Sequence, residues 1–161
     1  MAERNTYHNL RDYNSRRVFF DTNALLDAVD ERRPGSEAAC KALQYCNGGG
    51  DMGLVAPMSL KDVYYILGKQ RGEALARDAI NYLMGLLIVA PFGAADCMKS
   101  IKSDEPDFED GLIRACAELN EATFILTRDK NAFRHSTVRS LTCEEYTELI
   151  AGELPPTPSW T

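Results

Sequence analysis

The apolar run Val18-Phe19-Phe20 stops abruptly at a carboxylate, Asp21, and a helix-like pattern opens directly behind Thr22-Asn23. Consecutive apolar residues without polar alternation suit a strand covered on both faces, as in the parallel sheet of an α/β fold. The abrupt charge then marks the carboxyl end of that strand, and in open α/β sheets ligands bind at that edge. Asp21 therefore stands where chemistry is expected, and the rest of the chain can be searched for residues that converge on it.

The alternation of strand and helix continues along the chain. A first strand is expected at about 17–21 and a helix over 24–30, ending near Arg33-Pro34-Gly35. Ser36 is expected to cap a second helix, with Glu37 in its first turn, Leu43 on its apolar side and Gly48-Gly49-Gly50 as its stop. Gly53-Leu54-Val55-Ala56 reads as a second strand. Ser59-Leu60-Lys61-Asp62 reads as a capping-box helix start; Leu60, Val63, Tyr64 and Leu67 form its core face and Asp62 points away from it. A fourth helix over about 73–83, a third strand over 86–90 closed by Pro91 and a short helix over 93–101 follow. Asp107 opens the next helix, whose expected apolar stripe is Phe108, Leu112, Ala115, Cys116 and Leu119, opposite Asp107, Asp110 and Arg114. The fourth strand, 123–127, runs into Arg128-Asp129; a short strand at 138–142 and a helix over 144–151 close the pattern.

This order implies a three-layer α/β fold, a mostly parallel central sheet of four to five strands flanked by helices. Residues 1–16 lack periodicity and read as a flexible N-terminal arm, 17–152 as one domain, and 153–161, with Pro155, Pro156 and Pro158, as a tail. The scattered cysteines (Cys40, Cys46, Cys97, Cys116, Cys143) have no zinc-ligand spacing and read as reduced thiols of a cytoplasmic protein. No apolar run reaches the length of a membrane span, and no membrane association is expected. The net charge of -6 argues against a broad surface that coats nucleic acid. It leaves room for a small site where cations neutralise carboxylates.

Four acids qualify for such a site. Asp21 and Asp129 end strands, while Asp62 and Asp110 lie on the polar side of a helix's first turn. In a parallel sheet a strand's end and the start of the following helix share one edge, so these acids can meet in one cleft. Clustered carboxylates repel one another unless a proton or a cation intervenes. Hard oxygen ligands suit Mg²⁺ or Mn²⁺, which activate a water and stabilise in-line displacement at phosphorus. Each acid also has a purely structural reading. Asp107 can cap its helix, Glu109 and Asp110 can favour the helix dipole, Asp62 can complete a capping box and Asp129 can serve a turn. Asp104, Glu105 and Glu109 read as solvated charges, and His135 as a surface residue.

In their order, Phe20-Asp21-Thr22-Asn23, Ser59-Leu60-Lys61-Asp62-Val63-Tyr64-Tyr65-Ile66-Leu67, Asp107-Phe108-Glu109-Asp110 and Thr127-Arg128-Asp129 resemble the motifs of the PIN-domain family, most closely its VapC-type toxin ribonucleases. The resemblance spans about residues 17–150. It implies a Mg²⁺- or Mn²⁺-dependent endoribonuclease acting on RNA, with a possible antitoxin protein as partner and a homodimeric state. The family's acidic positions fall on Asp21, Asp62, Asp110 and Asp129, and Asn23 and Thr127 match polar positions lining its pocket. Two positions depart from the family pattern. Asp62 stands where Glu is usual, and Ala132-Phe133 replaces a common Asp-Phe.

The expected reaction is hydrolysis of an RNA phosphodiester. Asp21, Asp110 and Asp129 hold one or two ions, and Asp62 binds metal or orients a water. Arg128 and Lys130 are expected to contact substrate, with Lys69 and Arg71 as solvated charges. The same fold also suits a catalytically idle module that binds RNA or a protein. A receiver-like signalling domain is a third reading; it is disfavoured because the acids are spread over four segments and no suitable Lys ends the last strand.

Overall fold

The structure is a computed structural model that describes residues 16–153. The expected arm and tail, with Trp160, lie outside the described residues except for their inner ends. Both of those ends join the body: Arg16 bonds to Asp51 and Glu153, and its carbonyl accepts from the Met52 amide at 2.8 Å.

Five strands, β1 (Arg17–Phe20), β2 (Met52–Val55), β3 (Ile88–Val89), β4 (Phe124–Leu126) and β5 (Arg139–Leu141), form one sheet in the order β3-β2-β1-β4-β5. Every pairing is parallel, and β1 is the central strand, with Phe19 opposite Leu54 on one side and Ile125 on the other. The helices are α1 (Thr22–Val29), α2 (Ser36–Asn47), α3 (Pro57–Arg71), α4 (Glu73–Leu86), α5 (Ala94–Lys102), α6 (Phe108–Leu119) and α7 (Cys143–Glu153), with a 3₁₀ turn at Lys130–Phe133. Among the described residues no helix is long and apolar enough to cross a membrane.

Strand periodicity explains the two cores. Side chains alternate across a strand, so Val18, Phe20, Val55, Phe124 and Leu126 face one layer, packing with Leu25, Leu43, Val63, Leu83 and Tyr146. Phe19, Leu54 and Ile125 face the other, with Ile113, Cys116, Ala117 and Phe133. A buried Phe truncated to Ala costs about 3–5 kcal/mol, so Phe19 and Phe20 alone fix β1 firmly between the layers.

Several local readings change. The N-cap of α2 is Gly35, not Ser36, and no side-chain cap bond is made there. Helix α3 begins at Pro57, whose fixed φ and missing N–H suit a first helical turn. Ser59 is consequently inside the helix, its Oγ buried without a partner, and no capping box forms with Asp62. The apolar run at 86–90 divides: Leu86 ends α4, and only Ile88–Val89 pair as a strand. On α6 the expected Ala115 and Cys116 are buried, but Ile113 and Ala117 join them, while Phe108 and Leu119 are 48% and 46% exposed. Small residues decide that orientation, because a Cβ on Gly111 would stand 2.3 Å from Ser100 Oγ, so only glycine lets α5 approach. The Ser100 hydroxyl then donates to the Phe108 carbonyl at 3.0 Å, fixing the first turn of α6. Gly72, at φ 92, joins α3 to α4 with open space around it.

Candidate active site

The central strand delivers Asp21 to the carboxyl edge of the sheet. Its backbone N–H extends the ladder to Leu126 O at 3.0 Å, and its side chain caps α1, accepting from the Thr22 amide at 2.8 Å. The other carboxylate oxygen accepts from the Thr127 hydroxyl at 2.9 Å. That hydroxyl in turn accepts from the Asp129 amide at 3.0 Å. Thr127, buried at the end of β4, thus links the turn carrying Asp129 to Asp21.

A cleft of about 400 Å³ opens at this edge, lined by Asp21, Thr22, Asn23, Asp62, Tyr65, Ile66, Glu109, Asp110 and Ile113. It brings together four of the predicted residues, Asp21, Asn23, Asp62 and Asp110, from β1, α1, α3 and α6. Asp62 reaches it because the polar stripe of α3 runs opposite Leu60, Val63 and Leu67. Asp110 reaches it because Asp107 caps α6, accepting from the Asp110 amide at 3.0 Å. The structural reading of Asp107 is therefore correct. Asp129 does not line the cleft. One of its oxygens accepts from the Asn131 and Ala132 amides, at 3.1 and 3.3 Å, holding the 3₁₀ turn.

The electrostatics separate these acids from ordinary surface carboxylates. Burial pushes the Asp21 pKa up, and the charges of Asp129 and Asp62 add to the rise against the bonds from Thr127 and Thr22. Asp110 is raised to about 6, first by burial and then by Asp107, Asp21, Glu105 and Asp129. Both shifts say that negative charge is crowded here and incompletely compensated. Lys61, exposed, pairs with Asp62 at 3.1 Å.

The donor set fits a hard divalent cation. All its ligating atoms are oxygens, two carboxylates have pKa values raised first by burial and then by neighbouring acids, and Thr22 Oγ1, also lining the cleft, is buried with no hydrogen-bond partner. Among the described residues, no group of three or more His, Cys, Asp or Glu side chains stands close enough to enclose an ion. The acids thus border an opening rather than a closed coordination shell.

The predicted substrate bases are held elsewhere. Arg128 donates to both oxygens of Asp27 in α1, with Nε at 2.7 Å, and Lys130 pairs with Glu145 in α7. Neither lines the cleft. Arg71 approaches Asp30 at 3.7 Å. His135 is exposed, accepting from Arg134 Nε at 3.0 Å, as a surface residue would. Sequence reasoning missed Thr22, Tyr65, Ile66, Glu109 and Ile113 as lining residues. The signal for Tyr65 and Ile66 was present, since they lie three and four residues beyond Asp62 on one helix face.

Residues 17–131 match the PIN domain family. The chain is 31% identical over 140 residues to ribonuclease VapC1 of Aquifex aeolicus (strain VF5), covering 84% of this chain and 96% of that protein. Among solved structures it resembles VapBC2 of Rickettsia felis bound to a DNA fragment from the promoter, at TM-score 0.63 and 13% identity, over 78% of this chain and 98% of that one. It also resembles the sarcin-ricin loop cleaving toxin VapC20 of Mycobacterium tuberculosis, at TM-score 0.60 and 13% identity, over 73% and 94% of the two chains.

Proposed function

Because the chain belongs to the PIN domain family, we propose that it is a metal-dependent endoribonuclease that hydrolyses RNA phosphodiester bonds as the toxin of a toxin–antitoxin pair. The observation that carries this reading is the meeting of Asp21, Asp62 and Asp110, from separate elements, in one cleft at the carboxyl edge of the sheet. The similarity to a protein named ribonuclease VapC1 supports the nuclease activity. The likeness to VapBC assemblies supports an antitoxin partner, and a homodimer belongs to the same proposal.

In this reading Asp21 and Asp110 would hold Mg²⁺ or Mn²⁺, with Asp129, on the turn that Thr127 ties to Asp21, as the third ligand. When bound, such an ion supplies an activated water and positive charge against the phosphorane-like transition state. The chain's own groups prepare the site. Thr127 and the Thr22 amide fix the Asp21 carboxylate, and Thr127 keeps the Asp129 turn beside it. Asp62, a partly exposed carboxylate on the cleft wall, orients a water. Asn23 and the unpartnered Thr22 hydroxyl offer donors to a phosphate oxygen. Arg128 and Lys130, tied to Asp27 and Glu145, contribute no contact inside the cleft.

The idle-module reading draws on the spacing of these acids: among the described residues, no three of them stand close enough to enclose an ion. Both readings are decided by incubating purified wild type and Asp110→Asn with single-stranded and structured RNA in Mg²⁺, Mn²⁺ or chelator. Cleavage should require metal and fall by at least about a hundredfold in Asp110→Asn, the scale of losing one charge-stabilising group. Cleavage indifferent to chelator, or equal in the two proteins, would defeat the nuclease proposal.

A further inference from the structure

Helix α3 carries two adjacent tyrosines with opposite circumstances. Tyr64 is tied to α4: its hydroxyl donates to Glu73 at 2.7 Å, and Arg77 lies over its ring at 5.7 Å. Tyr65 is 58% exposed, and its recorded partner among the described residues is Lys69, whose ammonium stands 4.5 Å from the ring centroid. Tyr65 lines the same cleft as Asp21, Asp62 and Asp110. The spacing Asp62, Tyr65, Ile66, Lys69 is i, i+3, i+4, i+7, so one face of α3 presents an acid, an aromatic ring, an aliphatic floor and an ammonium in sequence.

Among the exposed aromatics of the described residues, Tyr82, Phe92 and Phe108 lie outside the cleft and Tyr65 lines it. The cleft is also a poor place to bind a polyanion by charge. Asp21, Asp62, Glu109 and Asp110 line it, and the chain carries a net charge of -6. Affinity there gains from a term that does not depend on positive charge. Stacking of a nucleobase on an aromatic ring is such a term, and it requires a base that is not already stacked in a duplex.

We propose that Tyr65 is the stacking platform for an unpaired nucleobase flanking the scissile phosphate, with Lys69 holding the next phosphate. This makes Tyr65 a positioning residue that selects single-stranded RNA, and it rests on the nuclease reading of the same cleft. The Lys69 ammonium stands 4.5 Å from the ring centroid, within reach of the phosphate next to a base stacked there.

The test compares wild type, Tyr65→Ala, Tyr65→Phe and Tyr82→Ala on a short single-stranded RNA in Mn²⁺. A second substrate has an abasic residue beside the cleavage position. Tyr65→Ala should raise KM about 10- to 100-fold with a much smaller change in kcat, and Tyr65→Phe should stay near wild type. Tyr82→Ala, an exposed tyrosine on α4 outside the cleft, should change neither. The abasic substrate should be penalised in wild type and not further penalised in Tyr65→Ala. Equal KM values for wild type and Tyr65→Ala, or the same abasic penalty in both, would overturn the proposal. A parallel arm measures binding of the same oligonucleotide in chelator, where the proposed reaction cannot proceed, by fluorescence anisotropy. If wild type cleaves nothing yet Tyr65→Ala weakens this binding, the nuclease reading fails and the stacking surface stands. If the oligonucleotide binds both proteins equally, the stacking surface fails whatever the activity.

Discussion

The two ends of β1 treat the same chemical group in opposite ways. At the start of the strand, Arg16 donates to both oxygens of buried Asp51, at 3.2 and 3.1 Å, and the Tyr146 hydroxyl donates to it at 2.6 Å. Arg16 reaches on to Glu153, closing the last helix onto the sheet. At the end of the strand, Asp21 receives one hydroxyl and one amide, and its charged neighbours Asp62 and Asp129 are also acids. The first arrangement answers negative charge with a cation and a hydroxyl and stabilises the fold. The second leaves charge unanswered, so a ligand of the right sign gains what the fold forgoes. Burial alone does not distinguish them; the sign of the neighbours does.

The sharpest way to break this comparison is a matched pair of charge removals. Asp21→Asn should reduce RNA cleavage by about a thousandfold or more while the protein stays folded. Asp51→Asn should leave cleavage per folded molecule unchanged and lower stability by about 2–3 kcal/mol, the scale of hydrogen bonds to a charged group. Thermal melts and single-turnover cleavage on both variants decide it. Loss of activity in folded Asp51→Asn would erase the distinction between the two ends.

A metal titration gives the next largest effect. An ion that binds only the folded state adds about 2.7 kcal/mol at a hundredfold excess over Kd, several degrees for a domain of this size. Wild type and Asp51→Asn should both show this rise with Mn²⁺, and Asp21→Asn should show little. An equal rise in all three would place the ion away from the cleft.

The smallest expected effect is in pH. The raised Asp110 pKa, about 6, means that the folded state holds this proton more tightly than the unfolded chain, whose carboxyl titrates near ~3.9. The stability from that proton is full below ~3.9 and lost as pH rises through about 6. The slope is shallow because much of the group faces solvent. Denaturant titrations of the metal-free protein from pH 4 to 7 should show a falling contribution that Asp110→Asn lacks. An unchanged slope in that variant would assign the titration to another group.

How much of this was legible follows from the range of each signal. Asp21 was readable because a carboxylate directly after an apolar strand breaks a local pattern, and the alternation of strands and helices foretold the parallel sheet. Asp62 was named for the cleft, but a capping-box reading through Ser59 competed with it until the Pro57 start placed Ser59 inside the helix. Buried Asp27 drew no notice: it pairs with Arg33 six positions on, and its second partner, Arg128, lies 101 positions away. Asp51 was equally silent, with Tyr146 95 positions away. Periodicity reports which face a residue occupies and cannot report which distant charge it meets. The same limit made Arg128 look available to substrate.

The open hinge at Gly72 has a consequence for fragment complementation. A chain divided there leaves β1 and β2, with Asp21 and Asp62, on one piece, and β4 and β5, with Asp110 and Asp129, on the other. Each piece holds half of the acids and no cleft, and β1 must find β4 across the cut to restore the central ladder. Divided at Gly72, the protein becomes a pair of silent halves whose reunion is reported by the return of the site itself.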